Sequence, residues 1–513
     1  MNLAILHYHL NRGGVSRVIE NHLAALDGAL EPGDRWNVAI LSGGRRDDWP
    51  DDLPERLRAI RLRFETIPEL EYDTLRQQPE PTDSAALAEQ IDAALKRLDF
   101  GASDTILHVH NHALGKNVRL PASLARLAAQ GYRLLLQSHD FAEDFRPDNY
   151  RAIREAQAAG ELYPQGPLVH YAVLNGRDRD ILHRAGFGLG RLHLLANPVP
   201  ERTDLPPRAE ARRRLAEQFG IGENQPFWLY PVRAIRRKNL GEAVLCSLLA
   251  PPGTIVGVTL RPLNPAEAPV YERWVALAAE LRLPCLFEVG APGALGFAEN
   301  LAAADAILTT SVAEGFGMVF LEAWLADRPL IGRDLPEITR DYVDAGLQFE
   351  WLWPRLDVPL EWIGRDAFRE TLLAAYRRTL AVYDRVEPAD LAERLDEKIV
   401  SEQVDFADLD ETLQERVIRA AHDDPQKREQ LLQANPRLRA AMELEPGEAA
   451  ETVAHNADAV RRGFSLTSRG KRLLGIYRQV AASPTMEPPP PLAEPGRILD
   501  QFLQIQRFRV IRS

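Results

Sequence analysis

Two glutamates mark the most distinctive segment of the chain, Glu314-Gly-Phe-Gly-Met-Val-Phe-Leu-Glu322. The glycines at 315 and 317 allow the backbone to approach a ligand closely. The apolar residues that follow predict a helix that begins near Met318, and the first amides of a helix point at any bound anion. The segment therefore combines carboxylates, which accept hydrogen bonds from hydroxyl groups, with amides that hold negative charge.

A second polar segment, Leu229-Tyr-Pro-Val-Arg233-Ala-Ile-Arg-Arg-Lys238-Asn239, continues an apolar run. The run predicts a strand, and open α/β sheets bind ligands at the carboxyl ends of their strands. Arg233 and Lys238 are then placed to bind a diphosphate. A sugar nucleotide presents a diphosphate, a ribose and a sugar, so a metal-free site for it needs cations, amides and carboxylates. The two segments together supply all three.

Short apolar runs alternate with amphipathic helical patterns along most of the chain, which is typical of parallel α/β units. The chain opens with a predicted strand over 3–10, a turn at Gly13-Gly14 and a helix over 15–26. A proline-marked connector follows Asn197, and the alternation restarts at Phe227. We therefore predict two Rossmann-like α/β domains. Their bounds are 1–203 and 204–482.

The last third of the chain is charged and helical in pattern, so an α-helical insertion is expected at about 350–460. A proline-rich linker over 483–496 precedes an amphipathic tail over 497–513. The apolar residues of the tail at helical spacing are Ile498, Phe502 and Ile505. Apolar stripes usually pack on the surface of their own chain, so docking is the favoured prediction. Pairing with a partner protein and contact with a membrane are the alternatives.

The composition narrows the class of protein. The 513 residues are 45% hydrophobic, which is enough to build two domains. With 74 acidic and 62 basic residues, the net charge of -12 opposes broad attraction to nucleic acid or anionic lipid. The two cysteines are far apart and suggest neither a disulfide framework nor a thiolate metal site. Because no export signal or long apolar run occurs, we expect a cytoplasmic protein. From the net charge, we expect it to bind no nucleic acid.

In their order and context, the two polar segments resemble those of the family 4 retaining glycosyltransferases. The resemblance covers most of residues 1–345. It implies the GT-B fold, in which two facing Rossmann-like domains have the active site in the cleft between them. Either segment alone would more often be an ordinary loop and helix, but the two together in matching contexts favour a site.

The resemblance implies a role for each polar residue of the second domain. Glu314 approaches the donor sugar, and Glu322 binds the ribose hydroxyls. Arg233 and Lys238 neutralise the leaving diphosphate. The backbone amides that approach the phosphates belong to Gly315, Phe316, Gly317, Met318 and Val319.

Further site residues are implied in the first domain. The turn with Gly13 and Gly14 allows the backbone to approach donor phosphate or acceptor, and it lacks the GxGxxG spacing of a dinucleotide site. His139, at the end of a predicted strand, corresponds to a catalytic histidine beside the reacting sugar, although a lone histidine is often structural. The acceptor-side candidates are His110, Asn111, Asp140 and Arg146.

Histidines alternate at positions 108, 110 and 112, so on a strand their imidazoles would share one face. That spacing also suits a metal ion. We predict no metal site, because the diphosphate already has cations and the fold that the chain resembles usually needs no metal.

The implied activity is transfer of a hexose from a nucleotide diphosphate sugar, linked to UDP or GDP, to the hydroxyl of a small-molecule or glycan acceptor. The anomeric configuration is retained, and no metal or other cofactor takes part. Other GT-B reactions, nucleotide-sugar epimerisation or sugar phosphorolysis, are the main alternatives. A non-catalytic subunit that binds a sugar nucleotide is a further one. The sequence makes no prediction of the oligomeric state.

Overall fold

The computed structural model describes residues 1–75, 83–156, 158, 162–445, 447–484, 492 and 496–512. The chain forms two compact units. The first unit consists of Met1–Pro200 and Arg462–Leu503, and the second of Glu201–Arg461 and Gln504–Ser513. Each unit contains a parallel sheet with helices, so the prediction of two Rossmann-like domains is confirmed.

The sheet of the first unit has seven parallel strands. They are β1 Asn2–Leu6, β2 Trp36–Ser42, β3 Ile60–Thr66, β4 Thr105–His110, β5 Arg133–Ser138, β6 Val169–Val173 and β7 Leu192–Leu194. Their order across the sheet is β3-β2-β1-β4-β5-β6-β7. β1 is buried along its whole length, as expected of a central parallel strand. Because all strands run the same way, the loops after their carboxyl ends lie at one edge.

Two details of this sheet differ from the sequence predictions. The strand predicted over 3–10 ends at Leu6. Its neighbours β2 and β4 end about one residue beyond the partners of Leu6, so a longer strand would have no backbone to pair with. β3 was not predicted, since Arg61 and Arg63 interrupt its apolar pattern. β3 is the edge strand of the sheet, where charged residues suit the exposed face.

Helices cover both faces of this sheet. Those up to residue 184 are α1 Gly14–Ala29, α2 Leu53–Arg56, α3 Ser84–Arg97, α4 Leu120–Ala129, α5 Pro147–Glu155 and α6 Gly176–Arg184. α1 packs Ile19, Leu23 and Leu26 against one face of the sheet, whereas α3 and α4 pack on the other face. The spacing of these apolar residues is the helical one that predicted α1.

The sheet of the second unit has six parallel strands. They are β8 Phe227–Arg233, β9 Ile255–Leu260, β10 Cys285–Phe287, β11 Ala306–Thr309, β12 Leu330–Arg333 and β13 Leu352–Trp353. The order across the sheet is β10-β9-β8-β11-β12-β13. β8 and β11 are therefore direct neighbours although 72 residues separate their ends in sequence, from Arg233 to Ala306.

The second unit also contains the predicted helical elaboration. The helices around the sheet are α7 Arg208–Phe219, α8 Leu240–Leu249, α9 Ala268–Glu280, α10 Phe297–Ala303, α11 Val319–Leu325 and α12 Pro336–Asp344. The elaboration has an antiparallel pair, β14 Asp357–Pro359 and β15 Gln403–Asp405, and the helices α13 Arg365–Val382, α14 Leu391–Asp396, α15 Glu411–Asp423, α16 Pro425–Ala434, α17 Pro436–Met442 and α18 Ala450–Phe464. Pro436 is the first residue of α17 and separates it from α16, because a proline has no amide hydrogen with which to continue the preceding helix.

The chain returns to the first unit with α19 Leu466–Ala481 and α20 Gly496–Phe502. The predicted end of the second domain at residue 482 differs from the structure, because residues 462–503 belong to the first unit. The physical reason is burial: α19 packs along α1 and covers the same face of the first sheet with Leu473, Ile476 and Val480.

The C-terminal tail packs on the chain's own surface. Ile498 and Phe502 are buried in the core of the first unit, and Ile511 is buried in the second. These contacts agree with the favoured prediction of docking. Most of the proline-rich linker predicted over 483–496 lies outside the described residues. Among the residues that are described, no helix has the length and apolar character needed to cross a bilayer.

Gly470 tests the contact between α19 and α1, because a Cβ at this position would overlap the carbonyl oxygen of Ala25. We expect Gly470→Ala to lower the free energy of unfolding by about 1–3 kcal/mol, since backbone atoms cannot move aside as a flexible side chain can. The control is Gly475→Ala on the same helix, where a Cβ would meet nothing within 4 Å. That change should be neutral or stabilise by up to about 1 kcal/mol in urea unfolding. Equal effects of the two substitutions would contradict the close packing of α19.

Candidate active site

The basic loop after β8 is fixed to the neighbouring strand β11. Arg236–Lys238 form a single 3-10 turn, and Asn239 follows it with a left-handed φ of 49°. The Tyr230 hydroxyl donates to the Lys238 carbonyl oxygen over 2.6 Å, and the Thr310 hydroxyl donates to the same oxygen over 3.0 Å. Because β8 and β11 are adjacent, the loops that follow them meet at the carboxyl edge of the second sheet.

The Glu314 carboxylate binds two cations of this loop. Its Oε2 accepts from Arg237 Nη1 over 2.8 Å, and its Oε1 accepts from Lys238 Nζ. The Glu314 side chain is only 8% exposed. Burial would raise the pKa of Glu314, but the charges of Lys238 and Arg237 outweigh burial and lower the pKa to about 2. The cluster therefore contains one buried carboxylate and two cations, with a net positive charge.

The turn that carries Glu314 depends on Gly317. Its φ of +77° is left-handed, and a Cβ there would lie 2.6 Å from the ring of Phe320. Phe316 is buried against Tyr342, with ring centroids 5.7 Å apart, and the Tyr342 hydroxyl donates to its carbonyl oxygen. α11 begins at Val319, one residue after the predicted start. The glycine turn and the helix are thus where the sequence placed them, and the contact of their amides with phosphate stays a prediction.

Glu322 lies in the first turn of α11 and pairs with an arginine that sequence reasoning missed. Its Oε1 accepts from Arg202 Nη2 over 2.7 Å. The Arg202 guanidinium also lies 5.2 Å from the ring centroid of Phe297. Arg202 comes from the proline-marked connector, which carries no motif, so only the fold brings it to Glu322. Glu322 is held in one direction by this ion pair.

Arg233 and Arg237 lie differently with respect to Glu314. Arg233 is exposed, and its Nη1 lies 3.5 Å from the Arg261 carbonyl oxygen, so it takes no part in the cluster around Glu314. Arg237, not Arg233, joins Lys238 on that carboxylate. The sequence showed three consecutive basic residues at 236–238, but only the 3-10 turn decides which of them faces Glu314.

A buried polar network fixes the position of the basic loop through Asn239. The Asn239 side chain accepts from Gln414 Nε2 over 2.9 Å and donates to Glu242 over 2.6 Å. Glu242 pairs with Arg333 at 2.8 Å, and Arg333 pairs with Asp405 at 2.8 Å. All five side chains are buried. The loop next to Lys238 is therefore braced by residues of the helical elaboration.

The tail completes this network. Arg509 binds Asp408 at 2.6 Å and lies 3.9 Å from Asp405. Lys398 donates to Asp408 over 2.8 Å and to the Phe508 carbonyl oxygen over 3.0 Å. With Glu242 and Arg333, the network contains three carboxylates and three cations, which balances its charge inside the unit.

In the first unit, the structure brings together the catalytic candidate and all four acceptor-side candidates. His139 follows β5, and its Nε2 lies 2.8 Å from Nδ1 of His110. The backbone amides of His139 and Asp140 donate to Asn111 Oδ1 over 2.7 and 3.1 Å. Arg146 forms an ion pair with Asp140. Burial lowers the pKa of His139 to about 4, so its imidazole is neutral near pH 7.

Gly13 and Gly14 stand at the start of α1. Gly13 has an extended φ of -177°, and Gly14 is the first residue of the helix. Both are exposed, and a Cβ on Gly14 would meet nothing within 4 Å. No neighbouring atom of the described residues requires glycine at position 14. The contact of this turn with donor phosphate or acceptor stays a prediction.

Three buried histidines form the group best suited to a metal ion among the described residues. Nitrogen atoms of His22, His108 and His110 all lie within 4.8 Å of one another. His112 is not part of the group, because the left-handed φ of 58° at Asn111 turns the chain and places His112 against Tyr171. The prediction that the three alternating histidines share one face is therefore wrong for His112.

The donor set of this histidine group fits a metal ion poorly. Both nitrogens of His108 already have partners, the Tyr477 hydroxyl at 2.8 Å and Gln137 Oε1 at 2.9 Å. A metal ion could bind His108 only if one of these two contacts were broken. Burial lowers the pKa of His108 to about 3, and the rings are neutral at pH 7. We therefore treat the group as a neutral buried cluster.

One curated relative shares sequence with this chain. No protein-family model matches it. Mannosylglucosyl-3-phosphoglycerate synthase of Petrotoga mobilis is 28% identical over 346 residues, which cover 66% of this chain and 66% of the synthase. The aligned region is thus slightly less than two thirds of the length of that relative.

Solved structures share the fold. HepE of Anabaena, in complex with UDP and glucose, has a TM-score of 0.52 at 13% identity, covering 93% of this chain and 99% of HepE. Sucrose-phosphate synthase of Thermosynechococcus elongatus has a TM-score of 0.52 at 16% identity, covering 94% of this chain and all of the other chain, 100%. The fold is the predicted GT-B class, and the homology to the synthase supports a glycosyltransferase.

His22 offers a test of the neutral cluster. Neither ring nitrogen has a hydrogen-bond partner among the described residues, and burial lowers the pKa of His22 well below its usual value. The unfolded chain takes up a proton below about pH 6.5, whereas the folded chain does not, so stability falls as the pH falls through that value. At pH 7.5, we expect His22→Leu and the wild type to have similar free energies of unfolding. Between pH 6.5 and 4.5, the variant should lose about 1.4 kcal/mol less of this free energy per pH unit than the wild type does.

Urea unfolding at several pH values measures this slope. The exposed His183, also in the first unit, provides the control His183→Gln, which should keep the wild-type slope. If His22→Leu and the wild type lose stability equally with acid, the buried imidazole is not held neutral.

Proposed function

We propose that this chain transfers a hexose from a nucleotide diphosphate sugar to an acceptor hydroxyl, with the donor bound by the second unit. The observation that carries the proposal is the cluster of Glu314 with Arg237 and Lys238 at the carboxyl edge of that unit's sheet. Its two cations suit a diphosphate, and its carboxylate suits a sugar hydroxyl. The homology to a glycosyltransferase and the GT-B fold favour this use of the cluster.

The cluster is suited to the charge that develops during transfer. When the bond between the anomeric carbon and the diphosphate breaks, negative charge grows on the outer phosphate. Lys238 and Arg237 would stabilise that charge in a partly buried site, where hydrogen bonds to ionised groups contribute more than in water. Arg233 is exposed at the end of β8, the strand before the basic loop, and is available as a third cation. Amides of the turn Gly315–Val319 would contribute further donors.

Each glutamate then has a role of its own. Glu314 is ionised and can accept a hydrogen bond from a hydroxyl of the donor sugar once phosphate competes for its cations. Glu322 is held by Arg202 and can accept from the ribose hydroxyls. These roles follow the resemblance to the family 4 enzymes, and the observed contacts support them because an ion pair orients each carboxylate.

The donor is proposed to carry UDP or GDP. HepE binds UDP and glucose, and the name of the Petrotoga mobilis synthase describes a phosphoglycerate that carries mannosyl and glucosyl units. A glucosyl donor fits both comparisons, and a mannosyl donor fits the name of the synthase. The acceptor is proposed to be a small molecule or a glycan bound by the first unit, near His139, His110 and Asn111. His139 is neutral, and because its Nε2 contacts His110, its Nδ1 is the nitrogen that can position a hydroxyl.

The reaction is proposed to retain the anomeric configuration without a metal ion. Near Glu314, the groups that face the proposed diphosphate are cations and amides, and we assign none of them as a general base. In the proposed sequence, the acceptor hydroxyl attacks from the side that the diphosphate leaves, and a phosphate oxygen takes its proton. Lys238 and Arg237 supply the positive charge that a metal ion would supply elsewhere.

Proton NMR of the product tests this proposal. The full-length protein is incubated with UDP-glucose or GDP-mannose, whose sugars are α-linked, and with a panel of sugar and polyol acceptors, with and without EDTA. We expect an α-linked product that forms at the same rate in EDTA. A β-linked product would contradict retention, and loss of activity in EDTA would contradict metal independence. Donor consumption that is independent of every acceptor would favour an epimerase or a phosphorylase.

A further inference from the structure

Cations from two loops converge on one tyrosine at the carboxyl edge of the first sheet. Tyr72 follows β3, Arg45 follows β2 and Lys116 follows β4. The Lys116 ammonium nitrogen lies 5.4 Å from the centroid of the Tyr72 ring, and the Arg45 guanidinium carbon lies 5.7 Å from it. His9, which follows β1, places its Nε2 3.1 Å from the Tyr72 hydroxyl. Neighbouring loops of the sheet thus form one polar surface.

A third cation reaches this surface from the loop after β5. Arg146 directly precedes α5, and the side chain of Asn149 in α5 donates to the Leu114 carbonyl oxygen over 2.9 Å. This bond holds the start of α5 against the loop that carries Lys116. The loop is held on its other side by the Asp73 amide, which donates to the Lys116 carbonyl oxygen over 2.8 Å.

The two arginines are oriented by carboxylates yet remain accessible. Glu71 binds Arg45 through Nε at 2.6 Å and Nη2 at 2.7 Å, which leaves the Nη1 hydrogens outside this fork. Asp140 binds Arg146. The side chains of Arg45 and Arg146 are 39% and 37% exposed. Guanidinium groups held in this way are pre-organised to donate to a further anion.

Lys116 differs from the two arginines because no carboxylate forms an ion pair with it in the described part of the chain. Its side chain is half-buried. Burial and, after it, the positive charge of Arg146 lower the pKa of Lys116. A cation that is partly withdrawn from water beside a like charge is stabilised when an anion binds.

We propose that Lys116, Arg45 and Arg146 form an anion subsite of the first unit, and that the acceptor of the transfer carries a carboxylate or a phosphate that binds there. This inference rests on the proposed function, because it assigns the acceptor to the first unit. His9, the Tyr72 hydroxyl and Asp140 border the three cations and can bind hydroxyl groups of the same molecule. The acceptor class is then an acidic sugar or polyol.

Calorimetric titration of the full-length protein tests the subsite with three probes that share a sugar ring: glucose, glucuronate and glucose 6-phosphate. The protein is first saturated with UDP or GDP, so that the phosphate of glucose 6-phosphate does not bind at Lys238. We expect at least one charged probe to bind about tenfold more tightly than glucose, as one charge-assisted hydrogen bond allows. Glucuronate and glucose 6-phosphate distinguish a carboxylate subsite from a phosphate subsite.

Three variants complete the test. Lys116→Ala should weaken binding of the preferred charged probe about tenfold and leave glucose unchanged, and Lys116→Arg should restore most of the loss. The control is Lys96→Ala, because the Lys96 side chain is 72% exposed on α3 and pairs with Asp92. Equal binding of charged and neutral probes, or unchanged binding in Lys116→Ala, would overturn the subsite. Failure of UDP and GDP to bind any of these proteins would instead overturn the proposed function.

Discussion

Glu314 carries a negative charge at a position where its side chain is 8% exposed, and such a charge is stable only with cations in hydrogen-bonding contact. Arg237 and Lys238 provide this contact from a different loop. Their position requires β8 and β11 to be neighbours, although each belongs to a separate part of the sequence. The hydroxyls of Tyr230 and Thr310 then fix the carbonyl oxygen of Lys238. The order of strands in the second sheet thus decides the chemistry at its edge.

The same constraint gives the helical elaboration a structural purpose. Asn239 adopts a left-handed conformation directly after Lys238, and its side chain is held by Gln414 and Glu242. Beyond Glu242, the charges alternate through Arg333 and Asp405 to Arg509 of the tail. A buried network of this kind costs desolvation, and it holds one arrangement because removal of any partner would leave an uncompensated buried charge. Here the arrangement is that of the loop which carries the two cations.

The sequence allowed much of the fold and part of the site to be predicted. Strong apolar runs located most strands, and the segment from Glu314 to Glu322 located the turn and helix that follow β11. Periodicity could not assign α19 to the first unit, because the face that it covers is formed by strands more than 300 residues earlier. Charge patterns likewise could not choose between Arg233 and Arg237, since the choice depends on a 3-10 turn. Arg202 and His22 carry no motif at all, and only the fold brings them to Glu322 and to the histidine cluster.

In the proposed function, Lys238 and Arg237 bind the outer phosphate of a nucleoside diphosphate. Calorimetry with UDP, UMP, GDP and GMP measures the contribution of that phosphate directly. In the wild type, one diphosphate should bind at least about tenfold more tightly than its monophosphate. Lys238→Ala should lose most of this difference. The double variant Lys238→Ala with Glu314→Gln, which leaves no unpaired carboxylate, should lose it as well. Arg236→Ala should keep it, because Arg236 pairs with Glu411 at 3.4 Å. Equal affinities for monophosphate and diphosphate in the wild type, or an equal loss in Arg236→Ala, would contradict the claim.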